Sequence, residues 1–291
     1  MIPASEYNHP ETDVVILGDA LQALVSIPDG SIDLIYIDPP FGTGKVRTLE
    51  SIDVTGGDRT RVGFGGRTFA WTRRSKFAYR DDLGLDAYLE FLAPHLAEAH
   101  RVLKASGSLY LHLDFHRVHY ARMLLDDLFG PDRFLNEIIW AYDYGGRRKD
   151  IWPRKHDNIL WYAKGDDWTF NTDEIERIPY MAPGLVTPEK AARGKMPTDV
   201  WWMTIVPTNS RERSGYPTQK PEKLLERIIA ASSSVDEIVL DFFSGSGTTG
   251  VVAKRLGRRY ILVDSNPDAI TIAERRLAGV VGEQVSLALD S

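Results

Sequence analysis

The chain has no cysteine. That absence removes disulfides, thiolate metal sites and every mechanism built on a cysteine nucleophile. It has no apolar run near the roughly 18–20 residues that a membrane helix needs. Nor has it an excess of positive charge, the formal net charge being −6. Any nucleic-acid partner must therefore be met by local patches. Residues Met1 to Tyr7 lack the basic start and apolar stretch of a signal peptide, so a cytoplasmic location and no membrane partner are expected. Internal repeats and low-complexity tracts are missing too.

What is present is a chain of 291 residues, enough for one large α/β domain with an inserted module. Apolar runs at 14–17, 32–37, 108–113, 137–141, 158–163, 237–240 and 259–263 read as strands. Helical spacing follows at 20–27, 85–103, 118–129 and 221–231, and from 248 to Leu256. This alternation predicts a mostly parallel seven-stranded sheet with helices on both faces. Residues 42–80 and 141–217 lose regular pattern, and 42–80 reads as a long loop or insertion.

The stretch DFFSGSGTTG (241–250) follows a strand and opens a helix. Gly245, Gly247 and Gly250 fit G-x-G-x-x-G, and Asp264 ends the next strand where a ribose-binding acid belongs. A tight turn packing helix on strand would look the same. Asp241 ahead of the loop would repel a pyrophosphate but favour an ammonium group. Ser246 and Thr248 lie near a helix N-terminus, where a carboxylate is well received. An amino-acid nucleoside such as S-adenosylmethionine suits this layout better than a dinucleotide does.

DPPFGTGK (38–45) ends like a phosphate cradle, but Val46 follows Lys45 and the upstream glycine position is Pro39, so the P-loop reading fails. The first half is poor in donors, because Pro39 and Pro40 carry no N–H. It offers acceptors instead: the Asp38 carboxylate and main-chain carbonyls. Those fit an exocyclic –NH₂, with Phe41 as a stacking face worth about 1–3 kcal/mol. The plain alternative is a proline-stiffened turn with an N-capping aspartate.

Taken in order, these segments resemble the amino-methyltransferases of DNA, in the permuted beta group whose catalytic motif precedes the cofactor motif. GDALQAL followed by DGSIDLIYIDPPF, then YPTQKPEKLL (216–225), then the 241–247 loop carry the likeness. It implies a Rossmann-like S-adenosylmethionine-dependent methyltransferase fold with circularly permuted motif order, in one catalytic domain spanning 1–291. It implies Asp38, Pro39, Pro40 and Phe41 as catalytic residues. For the cofactor it implies Asp241, Phe242, Phe243, Ser244, Gly245, Ser246, Gly247 and Thr248, with Asp264, Ser265 and Asn266 beyond them. Asp19 is expected on the cofactor adenine, and Thr218 and Lys220, beside Gln219, at its methionine end. A solvated lysine at a helix start is the plainer reading of Lys220. No metal site is expected.

The implied reaction moves a methyl group from S-adenosylmethionine to an exocyclic amine of a flipped base in duplex DNA. The missing cysteine argues against a ring-carbon product. A carboxylate is far too weak a base to deprotonate a neutral aryl amine, so Asp38 is expected to orient it and stabilise developing positive charge. An aspartate opening the motif goes, by the resemblance, more often with N6 of adenine, and N4 of cytosine is the alternative. More distant alternatives are an NAD-dependent oxidoreductase and a non-catalytic DNA-binding protein.

Double-stranded DNA is the expected partner, and the family adds a cognate restriction endonuclease and a homodimer. Lys45, Arg47, Arg73 and Arg74, with Arg147, Arg148 and Lys149, are the expected DNA contacts, although a solvated basic surface reads the same way. Residues 165–215 are the candidate target-recognition segment, in which Trp201 and Trp202 read as packing residues.

Overall fold

The computed structural model describes residues 1–7, 12–40, 84–146 and 148–280, and the backbone of three strands at 45–53, 59–62 and 68–81. In chain order the strands are β1 (Ile2–Pro3), β2 (Val14–Leu17), β3 (Ile32–Ile37), β4 (Lys45–Asp53), β5 (Arg59–Val62), β6 (Thr68–Asp81), β7 (Leu103–Leu113), β8 (Phe134–Ala141), β9 (His156–Ala163), β10 (Val200–Trp202), β11 (Ile238–Asp241) and β12 (Arg259–Asp264). The helices are α1 (Ala20–Val25), α2 (Leu85–Val102), α3 (Val118–Phe129), α4 (Pro188–Arg193), α5 (Glu222–Ser232), α6 (Thr248–Arg255) and α7 (Pro267–Ala278).

Nine strands form one sheet in the order β1-β2-β12-β11-β3-β7-β9-β8-β10. From β1 to β7 all neighbours are parallel, and β9 runs antiparallel to both β7 and β8. All six residues of β3 are buried, as a central parallel strand covered on both faces requires. One face packs the apolar sides of α1, α2 and α3, and the other those of α5, α6 and α7. The α/β fold and mostly parallel sheet are those expected from the sequence.

All seven expected strands are there, joined by the short edge strands β1 and β10. The main correction concerns 42–80. In place of a loop, β4, β6 and β5 form a separate three-stranded antiparallel sheet. Gly-rich breaks at 56–57 and 63–66 interrupt the stretch, and Arg73 and Ser75 break the alternation of Phe69, Trp71, Phe77 and Tyr79, so the period-two signal was weak. Helices α4 and α7 were also unread. In the 165–215 segment Trp201 is buried as expected, whereas Trp202 is 74% exposed and does not pack.

The order of the strands creates the site. From β11 the chain returns through α6 to β12 on one side, whereas from β3 it runs onward to α2 and β7 on the other. The carboxyl tips of β11 and β3 thus flank a topological switch point, where open α/β sheets leave a ligand crevice.

Candidate active site

A cavity of about 410 Å³ opens at that switch point. Asp38 follows β3 and Asp241 ends the adjacent β11, with Val239 and Leu240 paired to Leu34 and Ile35. Asp38, Pro39 and Pro40 line the cavity, with Asp19, Thr218, Lys220, Asp241, Phe242, Phe243, Ser244, Gly245, Ser246, Thr248, Asp264, Ser265 and Asn266. Phe41 lies outside the described residues. Gly247 sits behind the wall with φ +74°, and a Cβ there would lie 2.6 Å from that of Ala273. Only glycine fits that left-handed position against α7.

The Asp38 carboxylate is divided between two roles. Its Oδ2 is 2.6 Å from the Lys220 ammonium, with both side chains largely buried. Its Oδ1 is buried and has no hydrogen-bond partner among the described residues. A buried acceptor without a donor costs about 1–3 kcal/mol, which a ligand N–H would recover. Lys220, expected beside the cofactor, lines the cavity and also reaches Asp38.

Four carboxylates, Asp19, Asp38, Asp241 and Asp264, line the cavity. Burial pushes the Asp241 carboxyl up to about 7, against hydrogen bonds from Thr249 and the Phe243 N–H and with repulsion from Asp38 and Asp264. The Thr249 hydroxyl donates to its Oδ2 at 2.5 Å. Burial also raises Asp264, although it accepts from the Gly245 and Asn266 N–H groups at 2.7 and 2.8 Å. Asp19 caps α1 by accepting from the Gln22 N–H. Lys220 pairs with Asp38, and the buried Asp241 and Asp264 carboxyls, held here by neutral donors, favour a positively charged occupant.

The glycine loop is held from behind. Arg276 donates to the Ser246 carbonyl and the Thr248 hydroxyl at 2.9 and 2.8 Å, and its other nitrogen reaches Glu222. The Thr248 hydroxyl in turn donates to the Lys220 carbonyl at 3.3 Å. Thr248 is therefore a strut between loop and Lys220, where the sequence suggested a hydroxyl for a ligand carboxylate. Ser244 Oγ, by contrast, is buried and unpartnered among the described residues.

Sequence reasoning missed several residues of the walls. Tyr36 lies two positions before Asp38, on the same side of the strand, a spacing that could have flagged it. Burial and the nearby carboxylates hold its phenol well above the usual range, so it donates to His112 Nδ1 at 2.8 Å. His112 Nε2 then donates to Asp157 at 3.3 Å, and the Tyr142 hydroxyl donates to the other Asp157 oxygen at 3.1 Å. The His112 contact and the Lys220 charge pull Asp157 below the ordinary carboxylate value despite its burial. His95 stacks on Phe242 at 6.2 Å, and burial lowers its pKa. Its Nδ1–H donates to the Phe91 carbonyl at 2.8 Å, which leaves Nε2 as an acceptor.

The expected DNA contacts divide between two places. Lys45 and Arg47 lie on β4, and Arg73 and Arg74 on β6, where Arg73 pairs with Ile52 and Arg74 with Ser51. Their side chains, like Arg147, fall outside the described residues. Arg148 and Lys149 are exposed between β8 and β9, with Arg148 ion-paired to Asp150. Among the described residues no group of three or more metal-ligating side chains occurs, and no helix is long and apolar enough to cross a membrane.

Comparison with known proteins agrees with this geometry. The DNA methylase family of N6 and N4 enzymes matches residues 32–275. The type II methyltransferase M.HpaI of Haemophilus parainfluenzae is 36% identical over 265 residues, covering 90% of this chain and 73% of that protein. The DNA adenine methyltransferase YhdJ of Escherichia coli (strain K12) is 34% identical over 276 residues, covering 92% of this chain and 83% of that protein. Among solved structures, the cytosine-N4-specific PvuII DNA methyltransferase superposes with a TM-score of 0.64 at 19% identity, covering 91% of this chain and 86% of that one. The M1.HpyAVI–SAM complex gives 0.57 at 18% identity, covering 90% and 98%. An acceptor-rich motif beside an acid-lined glycine loop, matched over this length, means that the chain belongs to the N6/N4 family of DNA amino-methyltransferases.

Proposed function

We propose that this protein methylates N6 of adenine in duplex DNA, with S-adenosylmethionine as donor and the target base flipped into the cavity. The observation that carries the reading is the buried Asp38 Oδ1 at the cavity wall, which has no hydrogen-bond partner among the described residues. The name of the Escherichia coli relative, a DNA adenine methyltransferase, supports adenine. Transfer to N4 of cytosine is the second reading, because the PvuII enzyme of the same fold is cytosine-N4-specific.

The residues present fit the cofactor. Asp241 and Asp264 favour its cationic groups, Gly245 allows close backbone approach, and Ser244 Oγ and His95 Nε2 offer polar partners. When bound, S-adenosylmethionine supplies an electrophilic methyl on a sulfonium. The protein's share is to aim the nucleophile. Asp38 Oδ1 accepts one N–H of the target amine, and the Pro39 carbonyl accepts the other. That pair of acceptors turns the nitrogen lone pair out of conjugation with the ring. Lys220 holds Asp38 Oδ2 and so fixes the carboxylate plane. As positive charge grows on nitrogen, the Asp38 carboxylate stabilises it without prior reorganisation. The amine proton leaves after methyl transfer, when the nitrogen is acidic.

Phe41, directly after the acceptors, is proposed to stack on the base. Lys45, Arg47, Arg73, Arg74, Arg147, Arg148 and Lys149 are proposed to meet DNA phosphates. The type II name of the Haemophilus parainfluenzae relative supports a cognate restriction endonuclease as partner. A homodimer is proposed from the family alone, and sedimentation at working concentration reads it. The deciding experiment for the base is expression in a methylation-free host, followed by nucleoside mass spectrometry and modification-sensitive sequencing. N6-methyladenine at one motif is expected; N4-methylcytosine alone would overturn the adenine assignment.

A further inference from the structure

Trp152 is 92% exposed, and Ile151 beside it is 42% exposed. Both stand on the connection between β8 and β9, which leaves the sheet at Ala141 and returns at His156. Since β8 runs in the same direction as β3, this connection emerges on the edge of the sheet that carries Asp38. Three strand spacings separate β8 from β3, about 14 Å, close to the roughly 12 Å width of a major groove.

The connection is held at its base and bears charge at its tip. Lys155 Nζ donates to the Tyr144 and Gly145 carbonyls at 2.5 and 2.9 Å. The Tyr142 N–H donates to the Lys155 carbonyl at 2.8 Å, and the Tyr142 hydroxyl reaches Asp157 and thereby the Tyr36 network under the cavity. Arg154 lies 4.0 Å over the ring of Phe115, just beyond the carboxyl end of β7, the neighbour of β3. In sequence the connection carries Arg148, Lys149, Arg154 and Lys155 against Asp143 and Asp150, with Arg148 paired to Asp150.

An exposed tryptophan on a connection with more cations than acids fits a polyanion with flat apolar faces within it. It does not fit a second copy of the same surface, which would bring like charges together. Flipping the target base, on the reading proposed above, opens a gap in the stack that an aromatic side chain can fill. We propose that Trp152 is the wedge that enters the base stack when the target nucleotide leaves it. Lys149 and Arg154 hold the flanking phosphates as it does so. Trp152 acts on DNA geometry and touches neither the reacting amine nor the cofactor.

The test compares Trp152→Ala and Trp152→Phe with the parent on two duplexes carrying the motif found by sequencing. One is fully paired; in the other the target base faces an abasic site, so little is lost when it flips. For Trp152→Ala, kcat/KM on the paired duplex is expected to fall about 10- to 100-fold. It should return to within about threefold of the parent on the abasic duplex, and Trp152→Phe should keep most activity on both. Equal activity of Trp152→Ala and parent on the paired duplex would overturn the proposal. So would an equal loss on both duplexes, or a change in sedimentation showing that Trp152 joins two copies. The comparison reads the same whether the methylated base is adenine or cytosine, so failure of the base assignment stays distinguishable. A parent that methylates neither duplex overturns both readings.

Discussion

Replacing Asp241 with asparagine separates what this acid costs the fold from what it contributes to the cofactor. Its carboxyl is buried and raised from an ordinary 3.8 to about 7, chiefly by desolvation. An unfolded aspartate ionises near 3.9, so between that pH and about 7 the folded chain keeps a proton that the unfolded chain has lost. The stabilisation is fully present below the unfolded value and disappears as pH rises through the folded one. At about 1.36 kcal/mol per pH unit, the difference amounts to about 4 kcal/mol by pH 8. Asparagine removes the ionisation but disturbs the bond from Thr249, and about half of the gain should survive. At about 2–4 °C per kcal/mol, the cofactor-free variant should melt roughly 4–8 °C higher than the parent at pH 8 and equally near pH 4. Differential scanning calorimetry at both pH values measures this. The same variant should lose S-adenosylmethionine affinity by titration calorimetry, and the parent's affinity should rise about tenfold from pH 6 to pH 8 as Asp241 ionises. A thermal gain no larger at pH 8 than at pH 4, or cofactor binding equal to the parent's, would refute the assignment of Asp241 as a buried anion awaiting a cation.

Asp38→Ala should keep cofactor affinity within about threefold while radiolabelled methyl transfer falls by about 10²–10³; retained transfer would sink the mechanism. Lys220→Met should lower kcat by about tenfold or more, because the carboxylate plane is no longer fixed, with little change in KM for the cofactor. A raised KM with unchanged kcat would instead put Lys220 on the cofactor. Gly247→Ala should cost about 1–3 kcal/mol in urea unfolding, since alanine must adopt φ +74° with its Cβ against Ala273. Unchanged stability would mean that the loop relaxes away from α7.

The strands carrying the site were legible because they are buried on both faces and read as largely apolar runs, as in Leu34–Ile37. The two motifs were legible for another reason. Proline at 39 and 40 fixes the backbone and removes its N–H groups, and glycine at 245 and 247 meets a positive φ that few other residues adopt. The pairing of Lys220 with Asp38 could not be read, because nothing local to either residue encodes a contact made through two distant chain segments. The Tyr36–His112–Asp157 chain is hidden similarly: each residue alone looks like an ordinary core polar group. The strands at 45–53, 59–62 and 68–81 escaped because they carry polar residues at both parities, which cancels the alternation that marks a half-buried strand.

The permuted order of the motifs matters little to the chemistry, and the sheet explains why. Asp38 and Asp241 are far apart in the chain, yet β3 and β11 are neighbours with Leu34 opposite Val239. Their tips would meet at the same crevice whichever motif came first, since parallel pairing fixes both ends at one edge. What the order does alter is the connection into the glycine loop. Here the 216–221 segment follows β10 and delivers Lys220 to Asp38 before α5 begins. The Thr248 hydroxyl on the Lys220 carbonyl, with Arg276 tying Thr248 to Glu222, couples that segment to the cofactor loop. The glycine loop and the Asp38 carboxylate are thus linked through one lysine's backbone and side chain.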